Sequence, residues 1–316
     1  MFREQIKVLD CTIRDGGLMN DHQFSDELVR NVYKAISKSG IDYVELGYKA
    51  SKTAFSPKQF GAWKFCEEDA LRKVTDGIKS NTKLSVMVDI GRVELDDILP
   101  KSESVIDMIR VASYVKDIDK AIHLVNHVID KGYEATVNIM AVTSVIEQDL
   151  DEALKQLEKE SPVKIVYLVD SFGHMYSEQI QYLIKKYKAF MPSKEIGIHT
   201  HNNQQLGFAN TIEAIIYGAN YLDATLYGIG RGAGNCPMEL LIGFLKNPKF
   251  DIRPILDIIG KEFIPLREKV EWGYLVPYMI TGMLNEHPRS AIQVRNTPEK
   301  DDYLTFYKKL INEIEP

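Results

Sequence analysis

His199 and His201 stand one residue apart at the end of the apolar run Ile196–His199. In an extended segment residues i and i+2 share a face, so the two imidazoles lie side by side. Paired imidazoles at a strand end suit a divalent metal; the plainer reading is two hydrogen-bonded histidines. A third ligand is available in Asp10-Cys-Thr-Ile-Arg-Asp-Gly-Gly17, where Arg14 immediately precedes Asp15. A carboxylate beside a guanidinium stays ionised and is ready for a hard cation, although the same pair alone is an ordinary salt bridge at a turn. Two His and one Asp with open positions suit Mn²⁺ or Mg²⁺, with Co²⁺, Fe²⁺ or Zn²⁺ also compatible. Later comes Tyr227-Gly-Ile-Gly-Arg-Gly-Ala-Gly-Asn235. Its glycines allow close backbone approach to a ligand or phosphate. No Lys-Ser/Thr follows, so this is not a nucleotide fingerprint, and a flexible turn is the alternative.

Further polar groups fall where apolar runs end. Glu45 lies in Val44-Glu-Leu-Gly47, Asp89 ends the third run, and Asp170 begins Asp170-Ser-Phe-Gly-His174. One acid at a strand end says little. Several around one mouth point to a cation or a buried partner that offsets their desolvation. His174 and His22 are the histidines placed to move a proton at such a mouth. His123 and His127, four residues apart on a helical stretch, read as helix surface, and His287 before Pro288 as a loop residue.

Something must bring these segments together, and the hydrophobic pattern supplies it. Eight short β-branched or apolar runs recur: Ile6–Leu9, Tyr43–Gly47, Leu84–Ile90, Val105–Val111, Ala135–Val142, Ile165–Val169, Ile196–His199 and Tyr221–Leu226. Near-continuous apolar runs of this length are expected of parallel strands buried on both faces. Helical stretches alternate with them: one from Ser25 to Gly40, then Glu147–Lys159, Ser177–Phe190, Gln205–Gly218 and Pro237–Phe244. The spacing predicts an α/β fold, a (β/α)₈ barrel over 5–246, in which functional groups gather at the C-terminal ends of the strands. The segment Lys52–Thr75 reads as a loop insertion over the mouth. A C-terminal helical extension over 247–316 follows, with helices expected at Ile252–Val270 and Lys308–Ile314 and with Tyr274 and Tyr278 between them.

The 316 residues are 45% hydrophobic and 27% charged, ordinary values for a globular chain. A net charge of −6 without a basic block argues against nucleic acid. No apolar run reaches the ~20 residues that span a bilayer, and no signal pattern opens the chain. Cys11, Cys66 and Cys236 are widely spaced, as expected of reduced thiols in a cytoplasmic protein.

Asp10–Gly16 (D-x-x-x-R-D-G), His199-Thr-His201 (H-x-H) and Gly232-Ala-Gly-Asn235, in that order, together resemble the DRE-TIM metallolyases of the HMG-CoA lyase type over roughly residues 5–245. Gly232–Glu239 and Asp170-Ser-Phe-Gly are most similar to the 4-hydroxy-2-oxovalerate aldolase branch. The resemblance implies that Asp15, His199 and His201 bind the metal with Asn235 close by. It also implies that Arg14, with Gly232 and Gly234, contacts a 2-oxo acid, and that a pyruvate-type enolate is formed. The aldolases carry a catalytic His shortly after Arg-Asp-Gly. By ungapped count that position is Leu18 here, leaving His174 or His22 for the role, with Glu45 and Asp170 as further catalytic candidates. The glycine loop also lacks the early cysteine of the CoA lyases.

The leading expectation is a metal-dependent aldolase acting on a 4-hydroxy-2-oxo acid. A Claisen-type acyl-CoA synthase or lyase and a metal-binding barrel without catalysis are the rivals. A homodimer is the prior for such barrels. The aldehyde dehydrogenase partner of the oxovalerate aldolases is not carried over, because the extension is short and differently patterned.

Overall fold

The computed structural model describes residues 3–312. The eight apolar runs form β1 (Lys7–Asp10), β2 (Tyr43–Tyr48), β3 (Lys83–Asp89), β4 (Met108–Tyr114), β5 (Glu134–Met140), β6 (Ile165–Asp170), β7 (Glu195–Thr200) and β8 (Tyr221–Ala224). Each pairs in parallel with the next, and β8 returns to β1, closing the barrel. The fourth strand begins three residues later than the apolar run suggested, which puts Arg110 at its centre.

The barrel helices are α1 (Thr12–Gly16), α2 (Asp26–Lys38), α3 (Glu68–Thr75), α4 (Ile118–Asp130), α5 (Glu147–Glu160), α6 (Ser177–Phe190), α7 (Gly207–Tyr217) and α8 (Met238–Leu245). Local chemistry sets their ends. Ser25 caps α2 by accepting from the Leu28 N–H at 3.2 Å, and Asp26 and Glu27 complement the helix dipole. The connection from β3 to β4 departs from the expected alternation: it holds two 3₁₀ turns, Leu95–Asp97 and Lys101–Glu103, and no α-helix. The segment 52–75 likewise divides, into a looping part around the buried Trp63 and the barrel helix α3.

The extension contains α9 (Arg253–Ile258), a π-turn at Ile259–Phe263, α10 (Ile264–Arg267), α11 (Val276–Met283), α12 (Arg289–Val294) and α13 (Tyr303–Leu310). The helix expected at Lys308–Ile314 thus starts earlier, and Glu313 and Ile314 lie outside the described residues. α11 and α12 were not anticipated, because Pro277, Pro288 and short apolar stretches mask an eight- or six-residue helix. The extension sits against the ends of several strands. Asn203 Nδ2 donates to the Tyr278 carbonyl (3.0 Å), Asn285 Nδ2 to the Thr143 carbonyl (3.1 Å), and the Gly273 N–H to the Gly232 carbonyl (3.1 Å).

Between strands and helices lies the large apolar core, including Val8, Val44, Val86, Val111, Val137, Val166, Ile198 and Leu222. The barrel interior is different. Leu9, Tyr43, Met108, Ile165 and Tyr167 fill part of it, but Glu45, Arg110 and Asp223 are also fully enclosed. Gly197 makes room for this filling: a Cβ there would lie 2.6 Å from the Tyr167 ring, on which the Arg110 guanidinium stacks at 4.4 Å.

Candidate metal centre at the barrel mouth

β1 ends at Asp10, whose carboxyl turns the chain directly into α1. It accepts from the Thr12 hydroxyl (2.5 Å) and N–H (3.3 Å), and burial raises its pKa to about 7. The Thr12 hydroxyl in turn accepts from the Leu226 N–H at 2.8 Å, fastening α1 to the loop after β8. This short helix presents Arg14 and Asp15. Arg14 Nη1 donates to Asp15 Oδ1 at 2.9 Å and Nε to Glu45 Oε2 at 2.7 Å. Burial on its own raises the pKa of Asp15, but the Arg14 guanidinium beside it holds it well below the usual carboxylate range.

The histidines approach from β7. His199 Nδ1 lies 2.8 Å from Asp223 Oδ2, and His201 Nδ1 lies 3.1 Å from the Asp170 carbonyl oxygen. Both partners only accept, so each Nδ1 carries its proton and donates, and each Nε2 keeps a lone pair. Those Nε2 atoms lie 3.7 and 3.5 Å from Asp15 Oδ2, and neither has a hydrogen-bond partner among the described residues. Two orphaned, buried ring nitrogens converging on an ionised carboxylate could hold a cation, with each ring braced from behind. Asn235 completes the rim: its Nδ2 donates to Asp15 Oδ2, while its Oδ1 is buried without a partner among the described residues. Cys11, His199 and Asp223 also cluster. There, however, the thiol is neutral, because burial pushes its pKa up, and Asp223 already holds the His199 proton.

A chain of charges supports the centre from inside the barrel. Arg110 Nη1 donates to Glu45 Oε2 (3.0 Å) and Nη2 to Asp223 Oδ2 (2.6 Å). Arg110 thus ties the acid that orients His199 to the acid that orients Arg14. Burial opposes ionisation of Asp223, yet Arg110 and His199 bring its pKa below the ordinary value. Sequence reasoning missed both Arg110 and Asp223, although each is a lone charge at the middle of an otherwise apolar strand.

A chamber of about 70 Å³ lies over the centre, lined by Arg14, Leu18, Tyr48, Asp89, Asn138 and Arg231 among others. It opens into a vestibule of about 400 Å³. A larger cavity, about 690 Å³, lies at the opposite end of the barrel beside Lys7, Tyr43, Lys83 and Tyr221. That end holds the strand N-termini, where barrels of this kind do not place chemistry.

The structure brings together Arg14, Asp15, Glu45, His199, His201 and Asn235. It places the remaining expected residues elsewhere. Asp170 directs its carboxyl at the backbone N–H groups of His174 (3.0 Å) and Met175 (3.4 Å), and burial raises its pKa to about 7. It shapes the loop after β6 and does not line the chamber. His174 Nδ1 is bonded to the Gly282 carbonyl at 2.8 Å, holding that loop to α11. His22 is buried edge-on against Tyr48, and burial lowers its pKa to about 3. Neither histidine lines the chamber. Gly234 serves conformation: at φ +81°, a Cβ would lie 2.0 Å from the Gly228 carbonyl oxygen. Gly232 has φ +59° and packs beside Tyr278. His123 and His127 lie on α4, away from the mouth.

The HMGL-like family model matches residues 5–258. The chain belongs to the HMGL-like family. These DRE-TIM metallolyases depend on divalent metal, and Asp15, His199 and His201 form a group here that could hold one. Among HMGL-like relatives, a Thermus thermophilus 4-hydroxy-2-oxovalerate aldolase is 29% identical over 283 residues, 86% of this chain and 81% of that protein. A Mycobacterium tuberculosis oxaloacetate decarboxylase is 29% identical over 245 residues, 77% of this chain and 70% of that protein. In structure, the N-terminal domain of a candidate aldolase from Bacteroides vulgatus superposes with TM-score 0.80 at 30% identity, covering 98% of this chain and 100% of that one. The family and these relatives make the HMGL-like chain a carbon–carbon lyase. No helix among the described residues is long and apolar enough to cross a membrane.

Proposed function

We propose that this HMGL-like chain is an aldolase that cleaves or forms the C3–C4 bond of a 4-hydroxy-2-oxo acid, with pyruvate as the fragment that becomes an enolate. The observation that carries the reading is the pair of partnerless Nε2 atoms converging on Asp15, directly beside Arg14. When bound by Asp15, His199 and His201, a divalent cation (Mn²⁺ or Mg²⁺ in this reading) supplies Lewis acidity toward the 2-oxo group. Arg14 spends Nε and Nη1 on Glu45 and Asp15. Its Nη2 has no partner among the described residues and is the donor for the oxygen on which enolate charge develops. Proton transfer falls to a group that lines the chamber. Asp89 fits: burial raises its pKa, which brings a carboxylate nearer the range of an effective base. The three buried free cysteines suit a reducing, cytoplasmic setting.

A second reading, decarboxylation of a 2-oxo dicarboxylic acid, generates the same enolate and is favoured by the Mycobacterium relative. The two differ in whether an aldehyde or carbon dioxide leaves.

Deuterium uptake into the methyl group of pyruvate in D₂O, followed by mass spectrometry, tests the shared enolate step. Exchange is expected with Mn²⁺ or Mg²⁺, and is lost with EDTA and in His199→Ala. Exchange that persists in EDTA, or is absent from the metal-loaded protein, refutes the proposal.

A further inference from the structure

The vestibule has a charge that the aldolase reading alone does not require. Five cationic side chains line it, Lys64, Arg92, Lys116, Arg231 and Arg289, against two carboxylates, Asp89 and Asp117. This is the reverse of the whole chain's balance of −6. The cations come from separate segments: the β2–β3 and β3–β4 connections, the end of β4, the glycine loop after β8, and α12 of the extension.

Internal pairing does not use up this charge. Asp117 is engaged by Lys120 at 2.7 Å, outside the vestibule lining, and Arg92 meets Asp89 only at 3.4 Å. Lys116 and Arg289 are exposed and have no ion pair among the described residues. Lys64 is only 5% exposed. It also lacks an ion pair, and its ammonium instead lies over the rings of Tyr48 (4.3 Å) and Phe55 (4.1 Å). Arg231 donates to the Ser171 carbonyl (2.5 Å), its Nη1 lies 3.1 Å from His287 Nε2, and its Nε is buried without a partner among the described residues. Asp89 and Asp15 offset part of the charge of Lys64 and Arg231, but neither cation is closed into an ion pair, so the rest of their field reaches an anion in the vestibule and low-dielectric walls focus it.

We infer that the electrophile admitted through this vestibule carries its own anionic group, a phosphate or carboxylate at the end remote from its aldehyde. This rests on the aldolase reading and names its substrate class. The reaction balances without a further reagent. The pyruvate methyl carbon gives up one proton and bonds to the aldehyde carbon, whose oxygen gains one proton; the reverse step breaks the same bond. Arg231 borders both chamber and vestibule, so it stands where the two reacting fragments meet. The outer cations Lys116 and Arg289 stand where the remote anion would lie.

The test pairs each charged aldehyde with a neutral counterpart, using pyruvate as the other substrate: glyceraldehyde 3-phosphate with glyceraldehyde, and succinic semialdehyde with its methyl ester. Formation of the 4-hydroxy-2-oxo product by the Mn²⁺-loaded enzyme is followed by mass spectrometry. At least one charged aldehyde is expected to exceed its neutral partner in kcat/KM by about 10-fold or more, and whichever does so identifies phosphate or carboxylate. That ratio should shrink about 10-fold in the Lys116→Gln/Arg289→Gln variant, but not in Lys159→Gln on the outer helix α5. Equilibrium binding of inorganic phosphate and of succinate, at low salt with EDTA, provides a readout without turnover. Binding by the parent that weakens about 10-fold in the double variant supports the anion site, even if pyruvate exchange fails and the aldolase reading falls with it. Equal kcat/KM for charged and neutral aldehydes, or probe binding indifferent to the double variant, overturns the inference.

Discussion

Replacing Arg110 with Met offers the sharpest test of how the centre is held. The guanidinium is fully enclosed, 3.0 Å from Glu45 and 2.6 Å from Asp223. Coulomb attraction for each such pair is about 5–6 kcal/mol at an effective dielectric constant of ~20. Much of it is offset by the desolvation of Arg110 itself, which the variant avoids. Removing one partner of a buried network leaves carboxylates uncompensated, and the net loss is expected at ~3–5 kcal/mol. The pH dependence fixes the sign. In the parent, burial opposes but Arg110 achieves a lowered pKa for Asp223. That contribution is present above the unfolded-state pKa of ~3.9 and is lost as pH falls through the lowered folded value. Without Arg110, burial prevails and the folded pKa rises above ~3.9. Stability is then full below the unfolded pKa and lost as pH rises through the raised one. The deficit of Arg110→Met should therefore be largest near neutrality and shrink toward pH 5. Urea unfolding followed by the fluorescence of Trp63 and Trp272 measures it. Adding Asp223→Asn to Arg110→Met should destabilise by less than the sum of the single changes. A deficit below ~1 kcal/mol at neutral pH, or one that grows on acidification, would refute the network argument.

Two further predictions concern the same region. Asp223→Asn removes the carboxylate behind His199 Nδ1, and titration calorimetry should show Mn²⁺ affinity reduced about 10–100-fold; unchanged affinity would mean that Asp223 does not orient the ligand. Gly234→Ala should lose at least ~2 kcal/mol in urea unfolding, because a side chain at φ +81° adds strain to a clash with the Gly228 carbonyl. It should also weaken Mn²⁺ binding by displacing Asn235; a stable variant with parental affinity would show that the loop has freedom to adjust.

The barrel was legible because β-branched runs and amphipathic stretches alternate at a regular spacing, and buried parallel strands must read as apolar runs. The pairing of the candidate metal ligands was legible for a related reason: period-two geometry puts His199 and His201 on one face without any long-range information. The supporting charges were harder to read. Arg110 interrupts an apolar strand, and its meaning depends on Glu45 and Asp223 arriving from strands that are remote in sequence. The placement of His22 and His174 was not legible, because residue type alone cannot show whether a loop turns a ring into the chamber or away from it. His174 is turned by Gly282, more than a hundred residues later. The β3–β4 connection has enough length for a helix, but Pro100 and the Asp and Ser residues around it favour tight turns.

The way the extension clasps the mouth has a consequence for the order in which the molecule can be made. All eight strands lie within the first 224 residues, so the barrel can close while much of the chain is still being synthesised. Arg231 then still lacks His287, Asn203 lacks the Tyr278 carbonyl, and the loop carrying His174 lacks Gly282. At ~5–20 residues per second, these partners emerge several seconds after the last strand. A nascent barrel would therefore bring Asp15, His199 and His201 together before it possesses a finished entrance, and the ribosome-bound chain would pass through a stage that has its candidate metal site but cannot yet select what approaches it.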